Sequence, residues 1–228
     1  MTEFFRFPHT PHLIWLGADT PRDDKVLDAA EVKVLLAGSV LVEEKLDGAN
    51  LGLSLADDGE LRAQNRGQYL QEPLSGQFSR LPAWLARHGE AIRAVVRPEL
   101  LLFGEWCAAR HSLDYATLPD WFLLFDVYDR RSGKFWSSTR RNELAAQTGL
   151  KLVPKIYHGK TSVKNMVERV HNTPSQYRNG PLEGLVIRRE STDWCEARAK
   201  LVRADFTQSI EQHWRKRAIE WNRVDYEG

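Results

Sequence analysis

The sequence predicts an α+β domain in which central antiparallel sheets are flanked by helices. Apolar or alternating runs of strand length recur along the chain, and segments with helical spacing of apolar residues lie between them. No internal repeat, low-complexity tract or Gly/Ser-rich linker interrupts the 228 residues. We therefore expect one domain over residues 1–228, of which residues 206–228 form a C-terminal helical extension.

Seven segments have the length and the apolar or alternating character of β-strands. They are residues 40–46, 51–55, 60–65, 100–107, 121–128, 151–157 and 182–189. Between the second and the third segment, Asp57-Asp58-Gly59 is a turn signal. These two strands are therefore predicted to form a hairpin.

Four segments are predicted as helices, namely residues 76–97, 139–148, 162–172 and 206–221. In the first of them, Phe78, Leu81 and Leu85 begin a series of apolar residues near the helical spacing of 3.6 residues. The second follows Ser138, a predicted N-cap, and ends at Gly149, the residue type that most often follows a helix.

The composition excludes several classes of protein. Hydrophobic residues make up 42% of the chain and charged residues 28%, which excludes disorder and provides enough apolar material for a core. A formal net charge of +1 excludes a polybasic tail protein, although a locally basic groove remains compatible with it. Cys107 and Cys195 lack the spacing of a metal site and are interpreted as free thiols of a reducing compartment.

No targeting segment is expected. The N-terminus carries Glu3 and Arg6 and lacks the apolar core of a secretory signal. The most apolar stretch, residues 32–42, contains Lys33 and is far shorter than the roughly 20 residues that a membrane span needs. We therefore expect a cytoplasmic protein that has no membrane partner.

The most informative segment is residues 43–50, whose sequence is Glu-Glu-Lys-Leu-Asp-Gly-Ala-Asn. A strand at the protein surface does not ordinarily require a lysine at the end of its apolar run, followed by Asp-Gly and then Asn. Taken alone, the same residues are explained equally well as a strand-ending turn with Lys45 as a solvated charge beside it.

Residues 45–50 and five later segments together resemble the motifs of one enzyme superfamily. Residues 45–50 resemble motif I of the covalent nucleotidyltransferases, the superfamily of ATP- and NAD-dependent polynucleotide ligases and mRNA capping enzymes. Five later segments resemble its other motifs in the superfamily's order: residues 65–67 (the arginine motif), 102–106 (motif III), 122–127 (motif IIIa), 182–188 (motif IV) and 198–201 (motif V). The resemblance implies a nucleotidyltransferase domain with an ATP-grasp-like ligase fold.

The resemblance implies that Lys45 attacks the α-phosphate of ATP and becomes a lysyl-AMP. Only about one lysine in a thousand is neutral at pH 7, so the pKa of Lys45 must be lowered for this attack. Arg198 and Lys200 are expected to supply positive charge that does so and that also stabilises the transition state. The carboxylates of Asp47, Glu105 and Glu183 are expected to hold a hydrated Mg²⁺ or Mn²⁺.

Nucleotide contacts are implied in the same way. Phe125 would stack on the purine, and Glu105 would accept a hydrogen bond from a ribose hydroxyl. Asn50 and Arg66 would contact the phosphate or the 5′ side of the strand being sealed. Lys200 would also bind the nucleotide, and Glu44 would lie near the base edge. Two alternatives stay open at this stage, because Phe125 could pack in the core and Arg66 could be a turn cation.

Other features point to one branch of the superfamily. Only about two dozen residues follow Asp205, so no OB-fold of the DNA ligase type is expected. Residues 7–13 and 200–206 resemble small bacterial and phage RNA ligases of the nick-sealing, RNA-editing-ligase group. The implied substrates are RNA ends or a nicked duplex with a 5′-phosphate and a 3′-hydroxyl. Motif V departs from the usual pattern, because it begins with Arg198 where many ligases have lysine.

Several alternatives remain open from the sequence. The same lysine would serve a DNA ligase or a capping-type guanylyltransferase. A nucleotide- or RNA-binding module without catalysis is disfavoured, because pure binding would not require Lys45, Glu105, Glu183 and Lys200 together. An association with an end-healing kinase or phosphatase partner is also compatible with a domain of this size.

Overall fold

The computed structural model describes residues 4–18, 25–209 and 218–226. In chain order, the elements are α1 (Ala29–Leu35), β1 (Val40–Lys45), β2 (Ala49–Leu55), β3 (Leu61–Gln64), a 3₁₀ turn (Gly76–Phe78), α2 (Leu81–Val95), β4 (Leu100–Trp106), β5 (Phe122–Asp129), β6 (Lys134–Phe135), α3 (Ser138–Thr148), β7 (Lys151–Leu152), β8 (Lys155–Gly159), α4 (Val163–Asn172), β9 (Gly184–Glu190), β10 (Cys195–Val202) and α5 (Ala204–Ser209). The predicted α+β class, with antiparallel sheets and flanking helices, is confirmed.

The first sheet has the strand order β10-β9-β1-β8, and all of its neighbouring strands are antiparallel. Apolar residues on one face, among them Val42 and Ile187, form a buried cluster with Met166 of α4. Because side chains alternate between the faces of a strand, Glu43 and Lys45 lie on the opposite face. This sheet therefore has one apolar face and one charged face.

The second sheet has the order β3-β2-β4-β5-β6, and β7 adds a short parallel pairing to β5. Its main apolar cluster joins Leu51 and Leu102 of the sheet to Trp84 of α2 and Leu144 of α3. The predicted hairpin is present as β2 and β3, which pair from Gly52–Gln64 to Leu55–Leu61. None of the helices within the described residues is long and apolar enough to cross a bilayer.

Some element boundaries differ from the prediction for identifiable reasons. The predicted strand 151–157 is divided into β7 and β8, with Pro154 between them, since proline has no N–H to donate to a ladder. Helix α3 begins one residue earlier than predicted, with Ser137 as its N-cap, whereas Gly149 ends it in the left-handed conformation at φ 71° as expected. Helix α1 and strands β6 and β10 were not predicted.

The C-terminal part of the prediction is only partly testable. Helix α5 ends at Ser209, and residues 210–217 lie outside the described residues. Residues 218–226 contain no helix and instead form bridges at Trp221 and Val224, so the helical prediction is wrong for this segment. Both cysteines are free thiols, as expected, with Cys107 buried.

Candidate active site

Lys45 ends β1, where it lies opposite Gly184 of β9. Its Nζ donates a hydrogen bond to Glu183 Oε1 at 2.5 Å, and its side chain is 28% exposed. A Cβ on Gly184 would lie 2.5 Å from the carbonyl oxygen of Leu201, so only glycine permits β9 and β10 to approach this closely. The glycine of motif IV is thus required by packing directly beside the lysine.

The carboxylates that act most strongly on the amine of Lys45 are those of Glu183 and Glu105. Glu105 lies near the end of β4, and its Oε1 accepts a hydrogen bond from the Gly48 backbone N–H at 2.9 Å. Loss of solvent raises the pKa of Glu105 to about 7 and that of Glu183 to about 8, although attraction to Lys45 opposes both shifts. Burial lowers the pKa of Lys45, but the negative charges of Glu183 and Glu105 outweigh burial, and the net pKa is raised.

The pKa of Lys45 is shifted in the direction opposite to the one that attack on a phosphate requires. Arg198 and Lys200 were expected to lower this pKa, but the guanidinium of Arg198 pairs with the carboxylate of Asp126. The charges that act most strongly on Lys45 are those of Glu183 and Glu105. The amine is therefore held as a cation until these carboxylates are neutralised.

Asp47 is engaged by backbone N–H groups, although its charge also raises the pKa values of Glu105 and Glu183. Its Oδ2 accepts hydrogen bonds from the backbone N–H groups of Ser112 and Leu113, each at 2.7 Å, and its own N–H donates to Tyr115 Oη at 2.8 Å. Asp47 thus fastens the turn after Lys45 to residues 107–118, which we call the active-site loop. Within the described ranges, no group of three or more His, Cys, Asp or Glu side chains is arranged to hold a metal ion. The structure does not bring the predicted three carboxylates together as one site.

Phe125 owes its position to a β-bulge. Phe103 of β4 lies opposite Asp126, whereas the next residue, Gly104, lies opposite Leu124, so Phe125 is the extra residue of β5. A bulge of this kind redirects a side chain, and Phe125 lines the cavity described below. Its ring also makes an edge contact with Phe7, at 5.3 Å between centroids.

A cavity of about 560 Å³ lies between side chains of both sheets. Eight of the ten predicted site residues line it: Glu44, Lys45, Asn50, Arg66, Glu105, Phe125, Arg198 and Lys200. Asp47 and Glu183 do not line the cavity. Asp47 is hydrogen-bonded to the active-site loop, and Glu183 is hydrogen-bonded to Lys45, which does line the cavity. Arg198 is held against the rings of Phe7 and Phe135, at 4.6 and 4.1 Å from their centroids.

Buried acceptors without partners occur in this region. Among the described residues, no hydrogen bond reaches Glu183 Oε2, Asn50 Oδ1 or Glu44 Oε1, whereas Glu44 Oε2 accepts from the Gln176 N–H at 3.0 Å. Burial raises the pKa of Glu44 as well. Buried acceptors of this kind are costly unless a ligand or ion satisfies them. A cation or a ligand with donor groups bound in this region would satisfy them.

A buried ionic network was missed by the sequence analysis. Arg188 Nη1 donates to Asp126 Oδ1 at 2.6 Å, and Arg141 Nη2 donates to Glu43 Oε1 at 2.5 Å. All four side chains are buried, and Glu43, Asp126 and Arg188 also line the cavity, so the network connects the two sheets at the cavity wall. The signal in the sequence was the presence of charges within apolar strands, but it does not reveal which charges pair. The cavity-lining His111, whose Nε2 lies 2.8 Å from Gln77 Oε1, was also missed.

Two antiparallel sheets lie around a cavity, and a lysine at the end of β1 is acted on there by the carboxylates of Glu183 and Glu105, as the resemblance to the nucleotidyltransferases implies. Residues 38–202, more than two thirds of the chain, match the family model described as RNA ligase. The chain therefore belongs to the RNA ligase family. A comparison with curated proteins finds none that matches.

Solved structures of an RNA ligase from Naegleria gruberi share the fold. The complex with pyrophosphate has a TM-score of 0.64 at 20% identity, covering 92% of this chain and 64% of that one. An arginine-to-alanine variant with ATP and Mn has a TM-score of 0.62 at 20% identity, with coverages of 80% and 55%. A lysine-to-methionine variant with AMP and Mn has a TM-score of 0.61 at 19% identity, with coverages of 92% and 64%. The chain thus spans less than two thirds of the length of these relatives.

Proposed function

We propose that this chain is an ATP-dependent RNA ligase that joins a 5′-phosphate end to a 3′-hydroxyl end, with Lys45 as the adenylylated residue. The observation that carries the proposal is the position of Lys45, which lines a cavity of about 560 Å³ and is hydrogen-bonded to Glu183. This volume lies within the range of small-molecule sites, and side chains from six predicted motifs converge around it. Membership in the RNA ligase family supports RNA as the polymer.

ATP and a divalent cation are proposed as substrate and cofactor. Two of the related structures described above were solved with ATP and Mn or with AMP and Mn, which supports this choice. The donor set fits a hydrated cation, because Glu183 Oε2 is a buried acceptor without a partner and Glu105 is a second carboxylate acting on the same amine. When bound, Mg²⁺ or Mn²⁺ supplies positive charge that neutralises phosphate and carboxylate oxygens and thereby lowers the pKa of Lys45.

In the first step, the neutral amine of Lys45 attacks the α-phosphorus of ATP. A nitrogen–phosphorus bond forms while the bond from the α-phosphorus to the pyrophosphate oxygen breaks, which leaves lysyl-AMP and pyrophosphate. Glu183 is suited to take the proton from the amine, since its carboxylate is the hydrogen-bond partner of Nζ and its pKa is raised to about 8. Arg198 and Lys200 are placed at the cavity to stabilise the negative charge of the transferring phosphate.

The other lining residues are assigned to the nucleotide. Phe125 stacks on the purine, because its ring is turned into the cavity by the β-bulge. Glu105 accepts a hydrogen bond from the ribose, and Glu44 lies near the base edge. Asn50 and Arg66, at one end of β2 and just after β3, contact phosphate.

Two further steps complete the reaction. The adenylate moves from Lys45 to the 5′-phosphate of the RNA, and the 3′-hydroxyl of the other end then displaces AMP. The substrate is an RNA end or a nicked duplex, and a kinase or phosphatase that generates these termini is the class of partner that would supply it. Binding of RNA should weaken with salt, since phosphate contacts release counterions.

Labelling of the protein tests the proposal. The protein is incubated with Mg²⁺ and each α-labelled nucleoside triphosphate, and the products are separated on a denaturing gel. Label from ATP alone is expected, with none in Lys45→Ala and wild-type label in Lys155→Ala, an exposed lysine on β8 of the same sheet. Label from GTP would favour a capping enzyme, and no label from any nucleotide would favour a binding module.

Sealing assays then identify the polymer. Nicked duplexes are prepared with either RNA or DNA at the 3′-hydroxyl side, and ligation is measured at equal enzyme concentrations. Sealing only of the RNA substrate is expected. Equal or faster sealing of the all-DNA nick would support the alternative of a DNA ligase.

A further inference from the structure

Residues 218–226, which we call the C-terminal segment, lie along the active-site loop. Five backbone hydrogen bonds of 2.8–3.1 Å join them: Arg110 N to Glu220 O, Asn222 N to Ala108 O, Arg223 N to Tyr115 O, Leu118 N to Arg223 O and Asp225 N to Leu118 O. The family match ends at residue 202, so membership in the family assigns no role to this segment.

Asn222 is the main side-chain link between the segment and the loop. It is 5% exposed. Its Nδ2 donates to the carbonyl oxygens of Cys107 and Ala109, at 2.8 and 3.4 Å, and its Oδ1 accepts from the Tyr115 N–H at 2.9 Å. One buried amide thus joins two parts of the active-site loop that lie several residues apart in sequence. Because every one of these backbone groups is buried or half-buried, removing the amide leaves them without a partner.

The opposite side of the same loop holds the turn that follows Lys45. Ser112 and Leu113 donate their N–H groups to Asp47 Oδ2, and the Tyr115 hydroxyl accepts from the Asp47 N–H. Tyr115 is therefore contacted from both sides, by Asn222 at its backbone and by Asp47 at its hydroxyl. These hydrogen bonds form a continuous connection from the C-terminal segment to a residue two positions from Lys45.

We propose that Asn222 is a positioning residue for Lys45: by fixing the active-site loop, it sets the turn that presents the amine to the α-phosphate. The inference rests on the proposed function of Lys45 as nucleophile. His111 is the one residue of this loop that lines the nucleotide cavity, whereas the other described lining residues, including Phe125 and Arg66, lie outside it. Loosening the loop therefore displaces the reacting amine and leaves ATP affinity largely intact.

The test measures lysine adenylylation in a single turnover, over a range of ATP concentrations, in the full chain. Asn222→Ala removes the link at the segment, and Tyr115→Phe removes only the hydroxyl that accepts from Asp47. Arg110→Ala is the matched control, since its side chain is exposed and pairs with Glu220 at the outer surface of the same contact, at 2.7 Å. Circular dichroism and thermal unfolding establish that each variant is folded at the assay temperature.

A misplacement of the reacting group by about 1 Å can slow a reaction about 100-fold. We expect Asn222→Ala and Tyr115→Phe to lower the maximal rate of adenylylation roughly 10- to 100-fold, with the ATP concentration at half-maximal rate changed less than about twofold. Arg110→Ala should retain the wild-type rate. If Asn222→Ala does not fold, Tyr115→Phe decides, because it removes one oxygen atom and creates no large cavity.

Several outcomes overturn the inference. A folded Asn222→Ala or Tyr115→Phe protein with the wild-type maximal rate does so, and so does a loss that disappears once the rate is normalised to the folded fraction. A loss expressed only as weaker ATP binding also contradicts it. Absence of label from the wild-type protein overturns the proposed function itself, and the inference with it, so the two failures are distinguishable.

Discussion

Replacement of Arg141 by methionine tests how the two sheets are held together beside the cavity. Arg141 lies in α3 and is 2% exposed. Its Nη1 donates to Glu43 Oε2 at 3.2 Å and to the Phe125 carbonyl oxygen at 2.6 Å, while its Nη2 donates to Glu43 Oε1 at 2.5 Å. One guanidinium thus joins β1 of the first sheet to β5 of the second.

The expected loss follows from what the substitution leaves behind. In Arg141→Met, the carboxylate of Glu43 remains 2% exposed, and its nearest remaining cation is Arg188, with Nε at 4.0 Å. Removing one partner of a buried ion pair costs about 3–5 kcal/mol, because the other charge stays desolvated. For a chain of this size, that corresponds to a fall in Tm of roughly 6–20 °C.

Urea unfolding of a double-mutant set measures this loss. Arg141→Met with Glu43→Leu removes the stranded charge, so the double variant is expected to regain most of the free energy of unfolding that the single variant loses. Arg131→Met is the control, since its side chain is 77% exposed and its pair with Glu99 is expected to contribute less than about 1 kcal/mol. A loss below about 1 kcal/mol in Arg141→Met, or a double variant no more stable than the single one, would refute the reasoning.

Two further results are expected. Burial raises the pKa of Glu105 to about 7 and that of Glu183 to about 8, so the metal-free folded state holds protons that these two carboxyl groups release above their ordinary pKa of 4.5 in the unfolded chain. The Tm should therefore fall as pH rises from about 4.5 to about 8, less steeply in Glu183→Gln, and a rising Tm in the wild type would contradict this. Gly184→Ala, whose Cβ would lie 2.5 Å from the Leu201 carbonyl oxygen, should lower the free energy of unfolding by about 1–3 kcal/mol and slow adenylylation. In Gly38→Ala the new Cβ meets nothing within 4 Å, so its urea midpoint should match the wild type, and equal midpoints for both variants would contradict the packing argument.

The sequence was sufficient wherever the signal is local. A strand ending in Lys45, a turn through Gly48 and a hairpin around Asp57-Asp58-Gly59 all depend on residues close in the chain, and the structure has each of them. The order of the motifs made it possible to predict which distant segments contribute to the same site. It predicted residues on several different strands that line one cavity, which neither composition nor periodicity could have indicated.

Pairings between distant residues could not be predicted. Asp126 and Arg188 are 62 positions apart, and the sequence of neither strand indicates that these two residues pair. The same holds for Asp47, whose carboxylate was predicted to bind metal but is occupied by backbone N–H groups of the active-site loop. Strand β10 was not predicted, although Ala199 and Leu201 alternate with the charged residues Arg198 and Lys200. These charged residues line the cavity, so the polar face of this strand is not simply a solvent-exposed face.

The buried polar groups around the cavity fall into two kinds, and the difference separates stability from activity. The Glu43–Arg141 and Asp126–Arg188 pairs are satisfied within the chain, so their loss strands a charge in the folded protein even when no ligand is present. Asn50 Oδ1 and Glu183 Oε2 have no partner in the part of the chain that the structure describes, so they already destabilise the free protein. A bound nucleotide or cation would satisfy the second kind, and this is why we expect nucleotide and cation to bind beside these two atoms.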